Sequence, residues 1–207
     1  MNNLIGITGG IGSGKTTLAR VLEQRGYAVY FSDIEAKRII VENPAVRSQI
    51  EYLFGSDVFE NNCYRTDIVS KAVFRDPTLL HKLNQIVHPA VCFDVHHWAV
   101  RQIEVIGNAN ICFVESALLF ESGLSKECQL VVNVTAPESI RIRRTAQRDN
   151  ISEEEIKARI DTQLTDRDRS SRSDIIINND GSSNVDTLVD NMLYNIKTAL
   201  VQYEKKQ

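Results

Sequence analysis

The chain has 207 residues, 43% of them hydrophobic and 25% charged, with 10 Gly and 4 Pro, a composition that excludes collagen-like, low-complexity and largely disordered classes. Basic and acidic side chains nearly balance, 24 Lys and Arg against 27 Asp and Glu for a net charge of −3, so no overall positive field draws the protein to nucleic acid or anionic lipid. The length suits one folding unit rather than two independent domains, and no stretch reaches the roughly 18 apolar residues of a membrane span.

The start, Met1-Asn2-Asn3-Leu4, lacks the basic and then apolar order of a secretory signal, so the expected setting is cytoplasmic. Leu4 to Ile7 is a short apolar run ending in Thr8-Gly9-Gly10, and a helical stripe at Leu18, Ala19 and Leu22 follows before Gly26, which reads as strand, glycine loop, helix. Tyr27 to Phe31 predicts a second strand. Ser32 to Glu35 has the spacing of a capping box and opens a helix expected to end near Asn43-Pro44.

From about residue 45 to 108 the strand signal fades, and Ile50, Leu53 and Phe54, then Leu79, Leu80, Leu83, Ile86 and Val87, recur at helical spacing. This segment reads as a helical insertion, broken at Asp76-Pro77 and again at His88-Pro89. Ile111 to Val114 and Leu130 to Val134 are compact apolar runs suited to strands buried on both faces, with a helix starting near Pro137.

A second capping box, Ser152 to Glu155, precedes Ile156, Ile160 and Leu164 on one expected helical face. It lies in a stretch, 137–172, dense in arginine but interleaved with acids, so that the segment is not a basic tail. Ile175 to Ile177 makes a last short strand, and Val185, Leu188, Val189, Met192, Ile196, Ala199, Leu200 and Tyr203 mark a terminal amphipathic helix. Cys63, Cys92, Cys112 and Cys128 are widely spaced without a C-x-x-C, and the adjacent His96 and His97 diverge on a helix, so four reduced thiols are expected rather than a zinc site or disulfides.

Gly9-Gly10-Ile11-Gly12-Ser13-Gly14-Lys15-Thr16 satisfies G-x-x-x-x-G-K-[ST] and sits between a predicted strand and a predicted helix, as its mechanism requires. Glycines let successive backbone N–H groups converge on phosphates at a helix N-terminus, where Lys15 bridges β- and γ-phosphates and Thr16 offers a hydroxyl to Mg²⁺. The candidate nucleotide-binding residues are Gly12, Ser13, Gly14, Lys15, Thr16 and Thr17. No D-x-x-G or N/T-K-x-D string occurs, which argues against a GTPase. A helical insertion and an arginine-rich late segment suit phosphoryl transfer between two small molecules, where both must be gripped and water excluded.

Taken in order, Ile7 to Thr16, Asp33, Arg65 with Val73-Phe74, His88-Pro89, Leu118 to Glu121, Arg144, Arg148-Asp149, Gln163, and Asp174 with Asn179 before Gly181 resemble the dephospho-CoA kinase family over nearly the whole chain. The resemblance implies a three-layer α/β P-loop kinase fold with a parallel sheet, a helical acceptor-binding insertion at 45–108 and a lid at 141–172. It implies ATP and Mg²⁺ as the donor pair and 3′-dephospho-CoA as the acceptor, phosphorylated on its ribose 3′-hydroxyl in the last step of coenzyme A synthesis. Two departures stand out: Phe31-Ser32-Asp33 keeps only the second acid of the family's D-x-D, and Ala117 stands where the family has proline.

The resemblance makes Asp33 the base or orienting group for the acceptor hydroxyl, against a simpler reading as a helix-start acid favoured by the dipole. Arg144 and Arg148, four apart on one helical face, reach phosphate oxygens; Arg169 is a weaker candidate. Asn179 lies near the adenine pocket, while Arg65 and His88 belong to the acceptor-binding helices, although a histidine before Pro89 also suits fixing a turn. Glu115, at the end of a buried strand, suits a Walker-B-like role at Mg²⁺ or simply a strand end in solvent. A P-loop kinase for another metabolite and a nucleotide-sensing module without transfer remain open rivals, and no feature specifies an oligomeric state.

Overall fold

A computed structural model describes residues 4–106 and 111–204. The chain divides into two compact units, one formed by Met1–Tyr30 with Ala99–Gln207 and the other by Phe31–Trp98. In the first unit, β1 (Leu4–Thr8), α1 (Lys15–Gln24) and β2 (Val29–Phe31, whose last residue begins the second unit) open the chain. The second unit holds α2 (Ser32–Glu42), α3 (Pro44–Phe54), the short strands β3 (Phe59–Glu60) and β4 (Cys63–Tyr64), α4 (Thr66–Arg75) and most of α5 (Pro77–Ile106). Then follow β5 (Cys112–Glu115), β6 (Leu130–Thr135), α6 (Glu138–Asp149), α7 (Glu153–Asp161), α8 (Asp166–Ser171), β7 (Ile175–Asn178) and α9 (Val185–Glu204).

Five strands form one sheet in the order β2-β5-β1-β6-β7, with β1 parallel to both neighbours: Ile5 pairs with Phe113 on one side and Leu130 on the other. β1 and β5 are buried at every residue and β6 at all but its last, the pattern of parallel strands covered on both faces, which is why they read as unbroken apolar runs. β7 at the sheet's edge alternates instead, Ile175 and Ile177 inward, Ile176 and Asn178 outward. α9 buries Leu188, Val189, Met192 and Ile196 and packs on α1 and β7, and Arg25 at the end of α1 pairs with Asp186 and Asp190 of α9 at 2.7 and 2.6 Å. No helix among the described residues is long and apolar enough to cross a membrane.

Three local expectations fail for identifiable reasons. The capping box at Ser32 does not form: β2 runs straight into α2, so extended Phe31 is the N-cap and Ser32 is already helical, its hydroxyl buried without a partner. Glu35 pairs with Arg38 instead. The break at His88-Pro89 is absent, since α5 continues through Pro89. An internal proline costs about 3 kcal/mol, but Val87, Val91 and Val95, four residues apart, bury one continuous stripe across it. Leu164 falls beyond α7, which ends at Asp161, although the Ser152–Glu155 capping box forms with both of its hydrogen bonds.

The stretch expected to be purely helical also contains the β3–β4 hairpin, closed by Asn61 and Asn62 at φ of 50° and 62°. Two consecutive left-handed residues make a primed hairpin turn, for which asparagine is favoured after glycine. Residues 107 and 108, the end of the expected insertion, lie outside the described residues. None of the four cysteines is in a disulfide, and burial pushes the pKa of the Cys112 thiol up to about 11.

Gly6, in the middle of β1, is packed tightly against its neighbours. A Cβ there would lie 2.7 Å from Leu119 Cδ2 and 2.9 Å from Cys128 Sγ. Gly6→Ala is expected to lower stability by about 1–3 kcal/mol through overpacking, and Leu119→Ala in the same chain should recover part of that loss. Thermal or urea unfolding of the two single variants and the double variant checks this.

Candidate active site

The loop 9–14 leaves the end of β1, at the centre of the sheet, and delivers the chain into α1. Gly14 is the residue before the helix, at φ 93° with no side-chain cap, so the first amides of α1 keep the unmet donors that every helix start carries. A side chain at Gly14 would sit 2.2 Å from Asn179 Nδ2, and one at Gly12, at φ 75°, would sit 2.3 Å from the carbonyl oxygen of Arg141. Glycine at these two positions is therefore demanded twice over, by conformation and by space.

Asn179, just past β7 and 7% exposed, holds the loop from behind. Its Nδ2 donates to Ser13 O at 2.8 Å and its backbone N–H donates to Thr135 O at 2.7 Å, while Arg144 donates to its carbonyl at 3.0 Å and to its Oδ1 at 3.4 Å. One asparagine thus ties together the phosphate loop, the end of β6 and helix α6.

Glu115 ends β5 beside Ile7 of β1 and is buried, which decides between the two readings of its position: it does not end the strand in solvent. Its Oε1 accepts a hydrogen bond from Thr16 Oγ1 at 3.0 Å and lies 3.9 Å from Lys15 Nζ. Lysine, hydroxyl and carboxylate therefore meet on one side of the loop, with the carboxylate oxygen opposite Lys15 where an anionic ligand would otherwise stand.

A cavity of about 200 Å³ opens between the loop and α6. Gly12, Gly14, Lys15, Thr16 and Thr17 line it from the loop and α1, and Arg144, Thr145 and Arg148 line it from α6. Arg148 is held in a fork by Asp149 at 2.7 and 2.9 Å, and that pairing keeps the Asp149 carboxyl below its usual range. Ser13 is fully buried, and its backbone N–H donates to Gly10 O at 3.1 Å.

Asp33, Arg65 and His88 belong to the other unit. Asp33 is exposed in the first turn of α2, and His88 is half-buried on α5. Arg65 precedes α4 and is gripped by Glu60 at 2.6 Å and by both oxygens of Asp67 at 3.0 Å, which holds the Asp67 carboxyl below its ordinary value.

Arg141 and Arg169, in the charge-dense segment, are 3% and 1% exposed, and neither lines the cavity. Burial pulls the Arg169 guanidinium down from its ordinary value against the opposing effects of Asp166 and Glu121. No periodicity marks these two arginines, because the segment's charge density hides which of its members turn inward. Among the described residues no group of three or more His, Cys, Asp or Glu is placed to hold a metal ion.

The dephospho-CoA kinase family model matches residues 3–185. The chain belongs to the dephospho-CoA kinase family. Curated dephospho-CoA kinases from Bacteroides fragilis and Porphyromonas gingivalis are 36% and 41% identical to it over 179 and 156 residues, covering 86% and 75% of this chain and 84% and 75% of theirs. The solved dephospho-CoA kinase from Campylobacter jejuni, 24% identical, superposes with a TM-score of 0.69 over 96% of this chain and 99% of that one, which bears on the α/β P-loop fold. The glycine loop, its lysine and the buried acid beside it thus stand in a kinase framework.

Asn179→Ala removes the donor to Ser13 and the Oδ1 acceptor for Arg144, while the backbone carbonyl that Arg144 also uses remains. It is expected to raise the KM for ATP about tenfold, the effect of losing one buried hydrogen bond, and to leave the KM for the second substrate unchanged. Asn179→Asp keeps the acceptors for Arg144 but sets a carboxylate oxygen against the Ser13 carbonyl in place of the donor, so in steady-state kinetics it should raise the KM for ATP at least as much as the alanine variant.

Proposed function

We propose that this kinase transfers the γ-phosphoryl group of ATP to the ribose 3′-hydroxyl of 3′-dephospho-CoA, giving coenzyme A and ADP. Membership of the dephospho-CoA kinase family supports the reaction, and the observation that carries it to particular residues is the cavity between Lys15 and α6. Its lining combines helix-start amides, an ammonium and two guanidiniums, the donors a phosphate chain needs, while its small volume suits phosphates with the base lying outside.

In this reading the backbone of Gly12 to Thr17 cradles the phosphates and Lys15 leaves Glu115 to bridge the β- and γ-phosphates. Arg144 and Arg148 close on the transferring group, where charge spreads over the equatorial oxygens. Asn179 fixes the edge of the adenine site by fixing Arg144 and Ser13. Asp33 accepts or orients the proton of the 3′-hydroxyl as that oxygen attacks phosphorus and ADP departs, and Arg65 and His88 bind the acceptor within the helical segment 45–108. The lid that excludes water lies within the segment 141–172, and the setting is the cytoplasm.

Thr16 and Glu115 suit Mg²⁺: a hydroxyl and a buried carboxylate 3.0 Å apart are both hard oxygen donors, and Mg²⁺ takes few protein oxygens beside phosphate and water. When bound there, the ion neutralises charge on the β- and γ-phosphate oxygens. Thr16 and Glu115 would hold the ion, the latter being the same carboxylate that faces Lys15.

The acceptor is the sharpest test. ADP formation should depend on 3′-dephospho-CoA and be far slower with adenosine, AMP or shikimate, because binding energy from the remote pantetheine and diphosphate holds the hydroxyl in line. Phosphorus NMR should place the new phosphate on the 3′-oxygen; efficient transfer to AMP would overturn the assignment. A separate expectation concerns Asp33→Asn, which keeps shape and loses the proton acceptor: turnover should fall about a hundredfold or more with ATP affinity nearly unchanged. Parental turnover in that variant would return Asp33 to a helix-start role.

A further inference from the structure

Five contacts around the leading half of the phosphate loop close into a ring. Ile11 N–H donates to Gln163 Oε1 at 3.0 Å, and the next residue, Leu164, offers its carbonyl to Arg169 Nη2 at 2.9 Å. Arg169 Nη1 donates to Asp166 Oδ1 at 3.0 Å, and the other carboxylate oxygen lies 2.9 Å from Arg141 Nη2. Arg141 returns the ring to the loop: its Nη1 lies so close beneath Gly10 that a Cβ on that glycine would be 2.1 Å from it. The backbone of the same arginine abuts Gly12, and its carbonyl accepts from the buried Thr145 hydroxyl at 2.8 Å.

Two guanidiniums that are almost fully buried share one half-exposed carboxylate, and the Nε of each has no partner in the protein. Glu121 is the second acid near Arg169, and its Oε1 also accepts from Leu164 N–H at 3.3 Å. Such an arrangement is expensive to bury and persists only if its geometry is held from several sides. Solvation alone would send arginine 141 or 169 outward. What keeps both inside is the ring, which meets the phosphate loop at the Gly10–Ile11 step and, through the Arg141 backbone, at Gly12.

We propose that Arg141 is a positioning residue for the phosphate loop: its guanidinium is the floor under Gly10, and Asp166 with Arg169 holds that floor in place. It touches no reacting atom. Its action is to set the leading half of the loop so that the amides from Gly12 onward converge on the phosphates, and a displacement of that backbone by an ångström is enough to cost up to about a hundredfold in rate. The inference rests on the nucleotide reading of the loop but not on the identity of the acceptor.

The test uses ADP binding by titration calorimetry beside steady-state turnover. Arg141→Met, which fills the space without charge, should weaken ADP binding about tenfold and lower turnover while leaving the KM for the acceptor unchanged. Asp166→Asn should do the same, and the double variant should be no worse than either single one, since both break one ring. Gly10→Ala keeps the proposal testable if Arg141→Met fails to fold: in the parent it should weaken ADP binding by pushing the guanidinium aside, and combined with Arg141→Ser it should add nothing. Parental ADP affinity in Arg141→Met, additive losses in the double variant, or an equal penalty for Gly10→Ala in both backgrounds would each overturn the proposal. Failure of 3′-dephospho-CoA as acceptor with these binding results intact would overturn the functional reading and leave this one standing.

Discussion

A backbone that binds phosphate must keep several N–H groups uncommitted and yet hold the chain that carries them in one shape. Ordinary secondary structure cannot do both, because it fixes a chain by using those same groups. Here the two halves of the loop divide the work. The leading half is committed to protein, through Ile11 N–H on Gln163, Gly10 packed on Arg141 and Ser13 N–H on Gly10 O, while the trailing half is gripped by a carbonyl, Ser13 O on Asn179, a bond that uses none of the amides from Gly14 on. Almost everything else near the site follows: β7 must end where Asn179 meets Thr135, and α6 must lie where it presents Arg141 to the loop on one turn and Arg144 on the next.

The charges obey a related rule. The cations proposed to meet phosphate already have partners in the protein: Lys15 faces Glu115, Arg148 is forked on Asp149, Arg144 rests on Asn179, and Arg65 lies between Glu60 and Asp67. An anionic ligand therefore exchanges partners with these side chains rather than meeting bare charge. Exchange is cheap where the resident pair is exposed, since such pairs are worth little, and this fits the exposure of the Arg148 and Arg65 pairs. Glu115 is different, being buried; a cation brought with the phosphates would replace Lys15 as its counter-charge and keep the carboxylate paired throughout.

The sequence made the framework legible because the framework is periodic. Buried parallel strands show as apolar runs at Leu4, Cys112 and Leu130, α9 shows its stripe at Leu188, Val189, Met192 and Ile196, and the glycine loop is a string with a mechanism attached. Local rules failed where chain geometry overrode them. Ser32 lost its capping box to a strand that runs into the helix without a loop, and Pro89 lost its power to break a helix to a valine stripe that crosses it. The Asn61-Asn62 turn carried a signal that a reading tuned to helices passes over. Arg141, Asp166 and Arg169 carried none, since inward and outward arginines are indistinguishable in a segment where nearly half of the residues are charged.

That last blind spot bears on what can move. A lid drawn over 141–172 includes both ends of the ring that clamps Gly10 and Ile11, so the whole segment cannot swing without dragging the phosphate loop along. The stretch between the clamps is held far more loosely. Asn150 ends α6 in the left-handed conformation, Thr162 ends α7, and of the α7 residues only Ile156 is buried. Few buried apolar contacts and an exposed face are the physical content of a low cost of local opening. Closure of such a lid would therefore turn about residues 150 and 162 and carry α7, while Arg144 on α6 keeps its hold on Asn179 and Gln163 its hold on Ile11. The phosphate site would then stay assembled whether the lid stands open or shut, and the moving part would be left the single task of excluding water.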